Sequence, residues 1–457
     1  MKITLGEIAD TLGARLYGNR EKIVTAISFD SRSCNDGVLF AALKGEKRDG
    51  HEFIPSLSGS GAAVLCSTKP ECEIDAVVTD DVMTALTELA KWYKSNHCNL
   101  IKTVAVTGSV GKTTTKDITA CVLSSQFNTH KTAGNYNNAL GVPMTLFGLD
   151  ESHRVLVCEM GMSGFGEIEH LSGIACPDIG MITNIGTSHI EMLGSRENIA
   201  KAKLEIVTGM KKGSTLILNG DEPLLKERAK EFSADYKVIL VGFKEHNDIH
   251  ITDMECGEST HFTIKYNGVG YNACLNVPGE HNVYNALFAF CAGVECGIEP
   301  YKAAAAISDF HSYGMRQNVI EKDGIQIMAD CYNASRESMC ASLKVLCSEA
   351  YKAQRKIAVL GEMLELGEKS LEYHNDVGKC VAQVNPDMLF TLSGAKEIQT
   401  GALQNGYLSA KCMHFADKDE LYTALCRTVK QGDMLLFKAS RGVRMEEIIK
   451  KMGFEIK

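Results

Sequence analysis

The sequence predicts an α/β protein of three domains. At 457 residues the chain is long enough for about three domains of ~150 residues each. Short, mostly apolar runs of strand length alternate with helical segments along two separate stretches, which is how buried parallel sheets read. One of those runs leads into a glycine loop and then a helix, the arrangement of a phosphate site. The expected architecture is a small N-terminal α/β domain (1–99), a central P-loop-type doubly wound sheet (100–312) and a C-terminal Rossmann-like domain (313–457).

In the first block, Thr4 and Glu7 can form a capping box, and Ile8, Leu12 and Leu16 would share one face of the helix that follows. Apolar segments come next at 38–42, 62–66 and 76–78. A helix over 82–93 then runs into the polar stretch Lys94–Asn99, where the boundary is expected. In the second block, strands are expected at 103–106, 155–159, 180–183 and 215–218. Between Asp248 and Val277 three strand-like segments without helices suggest a meander at the sheet edge, before a helix over 281–296. The third block places strands at 325–329, 357–360, 388–392 and 434–437, with helices between.

Composition narrows the function classes. The net charge is −9 and no basic stripe occurs, so nucleic acid is not an expected partner. The N-terminal MKITLGEIADTLG lacks the apolar core of a signal peptide, and no run approaches the ~18 apolar residues of a membrane span. The 17 cysteines form no CxxC pair, and Cys121, Cys158 and Cys291 sit in apolar runs. Reduced thiols and a cytoplasmic location are expected.

The strongest local signal runs from Val104 to Lys116. Gly108 and Gly111 would let backbone N–H groups curl around phosphate oxygens, together with Ser109 and Thr114. Lys112 would reach the terminal phosphates and the Thr113 hydroxyl would ligate Mg²⁺. Val106 stands where the general P-loop pattern has glycine. Downstream, Glu159 ends an apolar strand, where a charge is costly without a partner. His189 follows another strand by a short loop. Ligands of open parallel sheets bind beyond such strand ends, and a carboxylate with an imidazole near a triphosphate suggests a metal. Read alone, His189 is more often a structural loop histidine and Lys203 a surface helix lysine.

These motifs resemble the Mur ligase family. Thr107–Thr114, Cys158–Gly161, Thr183–His189 and Ala202–Ile206 match its TGSxGKTT, strand-end Glu, TNIGxxH and AKxEI signatures. Gly279–Ala286 is similar to its adenine-contacting GxHNxxN segment. Asp30-Ser31-Arg32, Leu39–Gly45 and Asp49-Gly50-His51 are similar to its uridine-nucleotide domain, in the branch that takes a dipeptide acceptor. So are Gly134–Pro143, Glu159–Ile168, and Leu360–Gly367 with the later His374.

The resemblance implies an ATP-dependent, ADP-forming ligase of peptidoglycan precursor synthesis. It would join D-alanyl-D-alanine to a UDP-N-acetylmuramoyl-tripeptide through an acyl phosphate. Thr113, Glu159, His189 and a carbamylated Lys203 would hold two Mg²⁺ ions. Lys112, Lys203, His189 and Arg316 would act in catalysis. ATP would be bound by Gly108, Ser109, Gly111, Lys112, Thr113, Thr114, Asn282, Asn285, Asp330 and Asn333. Ser31, Arg32, Lys44, Asp49, Asn135, Asn138, Lys438 and Arg441 would contact the other substrates. A carboxylate and a triphosphate repel, and at ~4 Å with an effective dielectric near 20 one opposite charge is worth roughly 4 kcal/mol, so cations must stand between them. A monomer is expected. Two departures from the family pattern stand out: Ser335-Arg336 in place of Asn-Pro, and Ala439 in place of a glycine that can take φ > 0. They would favour the alternatives, a sister ligase adding a single amino acid or a catalytically silent nucleotide-binding protein.

Overall fold

The computed structural model describes residues 1–45 and 47–456. The capping box forms as expected. Thr4 Oγ1 accepts the Glu7 N–H at 3.1 Å, and the Glu7 carboxylate accepts the Thr4 N–H at 2.7 Å. The helix it starts, Leu5–Leu12, stops on Gly13 at φ 58. Leu16 therefore does not continue its face but lies on the strand Arg15–Tyr17, because the left-handed glycine turns the chain. That strand opens a five-stranded sheet in the order Arg15–Tyr17, Asp75–Val78, Ala63–Cys66, Val38–Ala41, Ala26–Ser28, parallel except at its first pair.

The central sheet has nine strands. From Thr129–Lys131 it runs parallel through Val155–Glu159, Lys102–Thr107, Ile179–Ile182, Thr215–Asn219 and Lys237–Gly242 to Ile249–Cys256. The last two strands, Thr260–Tyr266 and Val269–Leu275, are antiparallel and complete the edge meander. Thr129–Lys131 and Lys237–Gly242 were not among the expected strands. What positions the site is the order in the middle: the strand that feeds the glycine loop lies between the one ending in Glu159 and the one leading to His189. In register, Glu159 faces Val106 and Ile182 faces Thr107. All three loops thus leave the same edge of the sheet.

The C-terminal sheet has six strands in the order Asn318–Lys322, Ile325–Ala329, Asp433–Lys438, Arg355–Leu360, Met388–Leu392, Cys412–Phe415. Only the first pair is antiparallel. Its two outer strands were also missed. The carboxyl ends of the three adjacent strands at its centre deliver Asp330, Lys438 and the loop 361–367.

The cores are divided unevenly. Leu5, Val77, Leu86 and Leu89 of the first unit belong to the same buried cluster as Leu156, Cys158 and Ile182 of the central sheet. The helix Val82–His97 makes the join. It runs past the expected end and through the polar stretch, with Tyr93 donating to the Leu149 carbonyl (2.8 Å) and Lys94 to that of Ala175. The two faces of the C-terminal sheet form clusters of their own. No described helix is long and apolar enough to cross a membrane, and all 17 cysteines are free.

Candidate active site

A cleft of about 660 Å³ separates the carboxyl edges of the central and C-terminal sheets. The glycine loop forms its floor. Gly108 has φ 154 and Gly111 φ 85. A Cβ at Gly108 would run into Thr183 Oγ1, and one at Gly111 would lie 2.6 Å from Asn285 Oδ1, so both positions require glycine. The neighbouring strand end holds the loop in shape: Asn184 Oδ1 accepts the N–H groups of Ser109 (3.1 Å) and Val110 (2.9 Å). Asn184 Nδ2 and Thr183 Oγ1 both donate to the Val110 carbonyl. The helix Lys112–Ser124 then starts without a side-chain cap, leaving its first N–H groups available to an anion. Lys112 Nζ donates to the Gly108 carbonyl at 2.7 Å, and burial pushes it below the usual lysine range, with Glu159 opposing.

The walls carry the predicted metal residues. Glu159 is 2 % exposed; Oε1 accepts from Asn137 Nδ2 at 2.7 Å, while Oε2 has no hydrogen-bond partner, the nearest cation being Lys116 Nζ at 3.8 Å. Thr107 Oγ1 and Ser109 Oγ on the loop are likewise buried and unpaired. His189 lines the cleft in the left-handed region (φ 63), with Nδ1 3.0 Å from Glu365 Oε2 of the opposite unit. Burial, then the Lys112 and Lys203 ammonium groups, push it down to about 4, so its ring is neutral at pH 7. Lys203 is 1 % exposed, with no hydrogen bond or ion pair among the described residues. Burial and Lys112 hold it well below the ordinary lysine range. It stands behind the cleft lining rather than in it.

The opposite wall is fully paired. Asp330 Oδ2 accepts from Lys438 Nζ (2.7 Å) and Ser342 Oγ (2.5 Å), and Oδ1 from the Gln317 N–H (3.3 Å). Lys438 also reaches the Asn333 carbonyl. The Arg316 guanidinium stacks 4.2 Å over the Tyr332 ring. From the central unit, Asn282 bonds Gln317 and the Pro278 carbonyl, and Asn285 accepts from Thr115.

The cleft therefore gathers Ser109, Gly111, Lys112, Thr113, Thr114, Asn135, Asn138, Glu159, His189, Asn282, Asn285, Arg316, Asp330, Asn333 and Lys438. It does not gather Ser31, Arg32, Lys44 and Asp49, which lie in the first unit. There Asp30 pairs with Arg32, and Asp49 with His51. Their connection is Phe29, whose ring meets Tyr136 edge-on at 6.4 Å, beside Asn135. Arg441 is also outside the cleft, bonded to Glu446 at 2.6 Å. Sequence reasoning gave no role to Glu337, nor to Asn137, Asn184 and Glu365 within the quoted motifs, because each acts across strands or between units.

The two departures have structural compensations. Ser335 caps the helix Arg336–Cys347 as an asparagine would, and its N1 residue, Arg336, bonds Glu337 and Asp376 and lies over Tyr373. Ala439 is buried and lies outside the left-handed region, so no glycine is required there. Gly361 makes room for it: a Cβ on Gly361 would come 2.7 Å from that of Ala439.

Comparison with known proteins covers the chain nearly end to end. Residues 23–101 match the model of the Mur ligase family, catalytic domain; 106–293 that of the Mur ligase middle domain; 315–441 that of the Mur ligase, glutamate ligase domain. The UDP-N-acetylmuramoyl-tripeptide–D-alanyl-D-alanine ligase of Bacillus subtilis is 40% identical over 99% of this chain and 98% of its own. That of Escherichia coli is 31% identical over the same shares. Among solved structures, MurF from Acinetobacter baumannii superposes with a TM-score of 0.90 at 29% identity over 99% of each chain. The MurF ligase from Thermotoga maritima in complex with ADP gives 0.80 at 29% identity, over 93% of this chain and 96% of that one.

Proposed function

The chain belongs to the Mur ligase family, and from that premise we propose that it joins D-alanyl-D-alanine to UDP-N-acetylmuramoyl-tripeptide, converting ATP to ADP and phosphate in peptidoglycan precursor synthesis. The observation that carries the reading is a phosphate loop set beside a buried carboxylate oxygen with no partner, in a chain aligned end to end with such ligases. The tripeptide's terminal carboxylate attacks the γ-phosphate, ADP leaves, and the dipeptide's amine attacks the acyl phosphate and expels phosphate. Lys112 and the helix N-terminus hold the phosphates; Arg316, across the cleft, adds positive charge. Closure of the cleft between the two sheets would exclude water from the acyl phosphate.

The residues present fit divalent cations. Among the described residues no group of three His, Cys, Asp or Glu side chains converges to hold a metal unaided. A site would draw on the Thr113 hydroxyl, Glu159, His189, the nucleotide's phosphates and a modified Lys203. The Lys203 amine, held below its ordinary range, is nucleophilic. Addition of the neutral amine to CO₂ would form an N–C bond, open one C–O π bond, release one N–H proton and leave a carboxylate where an unpaired amine stood. Two Mg²⁺ ions would neutralise charge between the triphosphate and the incoming carboxylate. Residues 1–99 would hold the uridine end through Ser31, Arg32, Lys44 and Asp49, residues 100–312 the ATP, and residues 313–457 the closing wall. These substrates imply a cytoplasmic reaction, and one chain supplies every residue it needs.

Purified protein with ATP, Mg²⁺, the UDP-linked tripeptide and D-alanyl-D-alanine should release phosphate and form the pentapeptide nucleotide. Equal phosphate release with free D-alanine would replace this reading by the single-residue sister. No release with any amine would replace it by a silent nucleotide-binding protein.

A further inference from the structure

Glu159 is held at two points. Its N–H donates to Thr132 Oγ1 (3.0 Å), just past the edge strand Thr129–Lys131. Its Oε1 accepts from Asn137 Nδ2 at 2.7 Å. An ionised carboxylate only accepts, so the amide nitrogen is the atom that faces it.

Asn137 is itself fixed by the loop that carries it. Its N–H donates to the Asn135 carbonyl (2.7 Å), and its carbonyl accepts the Gly161 N–H (2.7 Å). The next residue, Asn138, accepts the Gly141 N–H at Oδ1 (2.9 Å), where the helix Gly141–Phe147 begins. Two glycines make the fit possible. A Cβ at Gly141 would run into the Tyr136 backbone, and one at Gly161 would lie 3.1 Å from the Asn137 amide carbon.

Stabilising a buried charge does not explain this hold. Glu159 is buried, yet Oε2 has no hydrogen-bond partner, and Lys116 Nζ comes no nearer than 3.8 Å. A buried oxygen left in that state costs roughly 1–3 kcal/mol, which cancels most of what the Asn137 bond contributes. A carboxylate placed for stability alone would have both oxygens paired, as Asp330 has across the cleft. What the Asn137 bond does achieve is orientation. The last torsion of a glutamate is broad and two-fold, so an untethered carboxylate swings and exchanges its oxygens.

We infer that Asn137 is a positioning residue: by donating to Oε1 it locks the Glu159 carboxylate with Oε2 as the oxygen offered to a divalent cation, and so favours Mg²⁺ over Ca²⁺. Mg²⁺ demands near-ideal octahedral geometry, which a fixed ligand can meet. Ca²⁺ accepts irregular geometry and a carboxylate in either mode, and loses less when the ligand is free to swing. The inference rests on the reading of Glu159 as a cation ligand in the proposed function.

Mn²⁺, which shares octahedral oxygen sites with Mg²⁺, reports the site through the resonance of the free ion in a titration of the full chain, and Mg²⁺ or Ca²⁺ then displaces it. Asn137→Ala should weaken Mn²⁺ and Mg²⁺ binding about tenfold and Ca²⁺ binding by no more than about threefold. Gly161→Ala, whose Cβ presses on the amide without touching Glu159, should lower the preference for Mg²⁺ over Ca²⁺ by about twofold. The double variant should be no weaker than Asn137→Ala, because both substitutions act through one amide. Equal losses of Mg²⁺ and Ca²⁺ in Asn137→Ala would mark a merely structural residue and overturn the inference. So would unchanged affinities, losses that add in the double variant, or a parent that binds no Mn²⁺. If the parent makes no pentapeptide nucleotide while the Mg²⁺ preference still falls in Asn137→Ala, the proposed function fails and the role of Asn137 stands.

Discussion

At the central wall of the cleft, Glu159 Oε2, Thr107 Oγ1 and Ser109 Oγ lie buried without hydrogen-bond partners, with the Lys203 amine unpaired behind them. On the C-terminal wall, Asp330, Lys438, Ser342 and Gln317 satisfy one another; among that unit's described buried side-chain oxygens only Glu446 Oε2 lacks a bond. The same chain builds both, so the difference is not one of folding capacity. Each unpaired buried group costs stability, and a charged one costs more. A wall that keeps several of them is built for partners that arrive with the substrates. A wall that pairs all of its own is a finished surface brought up against the other.

Substitutions on the two walls should therefore fail in different ways. The largest effect is expected of Lys112→Ala: turnover falls by about 10³-fold or more, with a melting temperature near that of the parent. Lys203→Met should lose about 10²-fold in turnover yet unfold at a higher denaturant concentration, since it replaces a buried amine that has no hydrogen-bond partner with an apolar side chain. Equal or lower stability would show that the central wall is not underpaired. On the other side, Lys438→Met leaves the buried Asp330 carboxylate without its counter-ion and should cost about 3–5 kcal/mol in denaturant unfolding.

His281, lining the cleft where the walls meet, is pushed by burial to about 4. The unfolded chain, with an ordinary histidine near 6.5, binds more protons between these values, so stability falls as pH drops from about 6.5 towards 4. His281→Gln should remove no more than about 1.4 kcal/mol per pH unit of that slope. Smallest is Ser335→Ala, which removes a helix cap and should cost about 1 kcal/mol without altering the acceptor preference.

Much of the central wall is legible in the sequence because its signals are local. Gly108 and Gly111 announce a loop whose shape only glycine allows, and Glu159 stands out as a charge closing an apolar run. The C-terminal wall is less legible, since Asp330, Lys438 and the 361–367 loop come together only through the strand order of their sheet. Glu365 and Asn137 depend on contacts with another unit or another loop. The missed strands are short or half-polar edges such as Thr129–Lys131 and Asn318–Lys322, where pairing with one neighbour replaces an apolar run as the cause of strand formation. Lys237–Gly242, by contrast, carries an apolar run of its own.

The helix Val82–His97 has a thermodynamic consequence. With Leu86 and Leu89 in one apolar mass with Leu156 and Ile182, melting either sheet exposes the other's interior. Heat should take the first two sheets apart in a single cooperative step, and the third, with clusters of its own, in another. A calorimetric trace of this protein would then hold two endotherms for its three units.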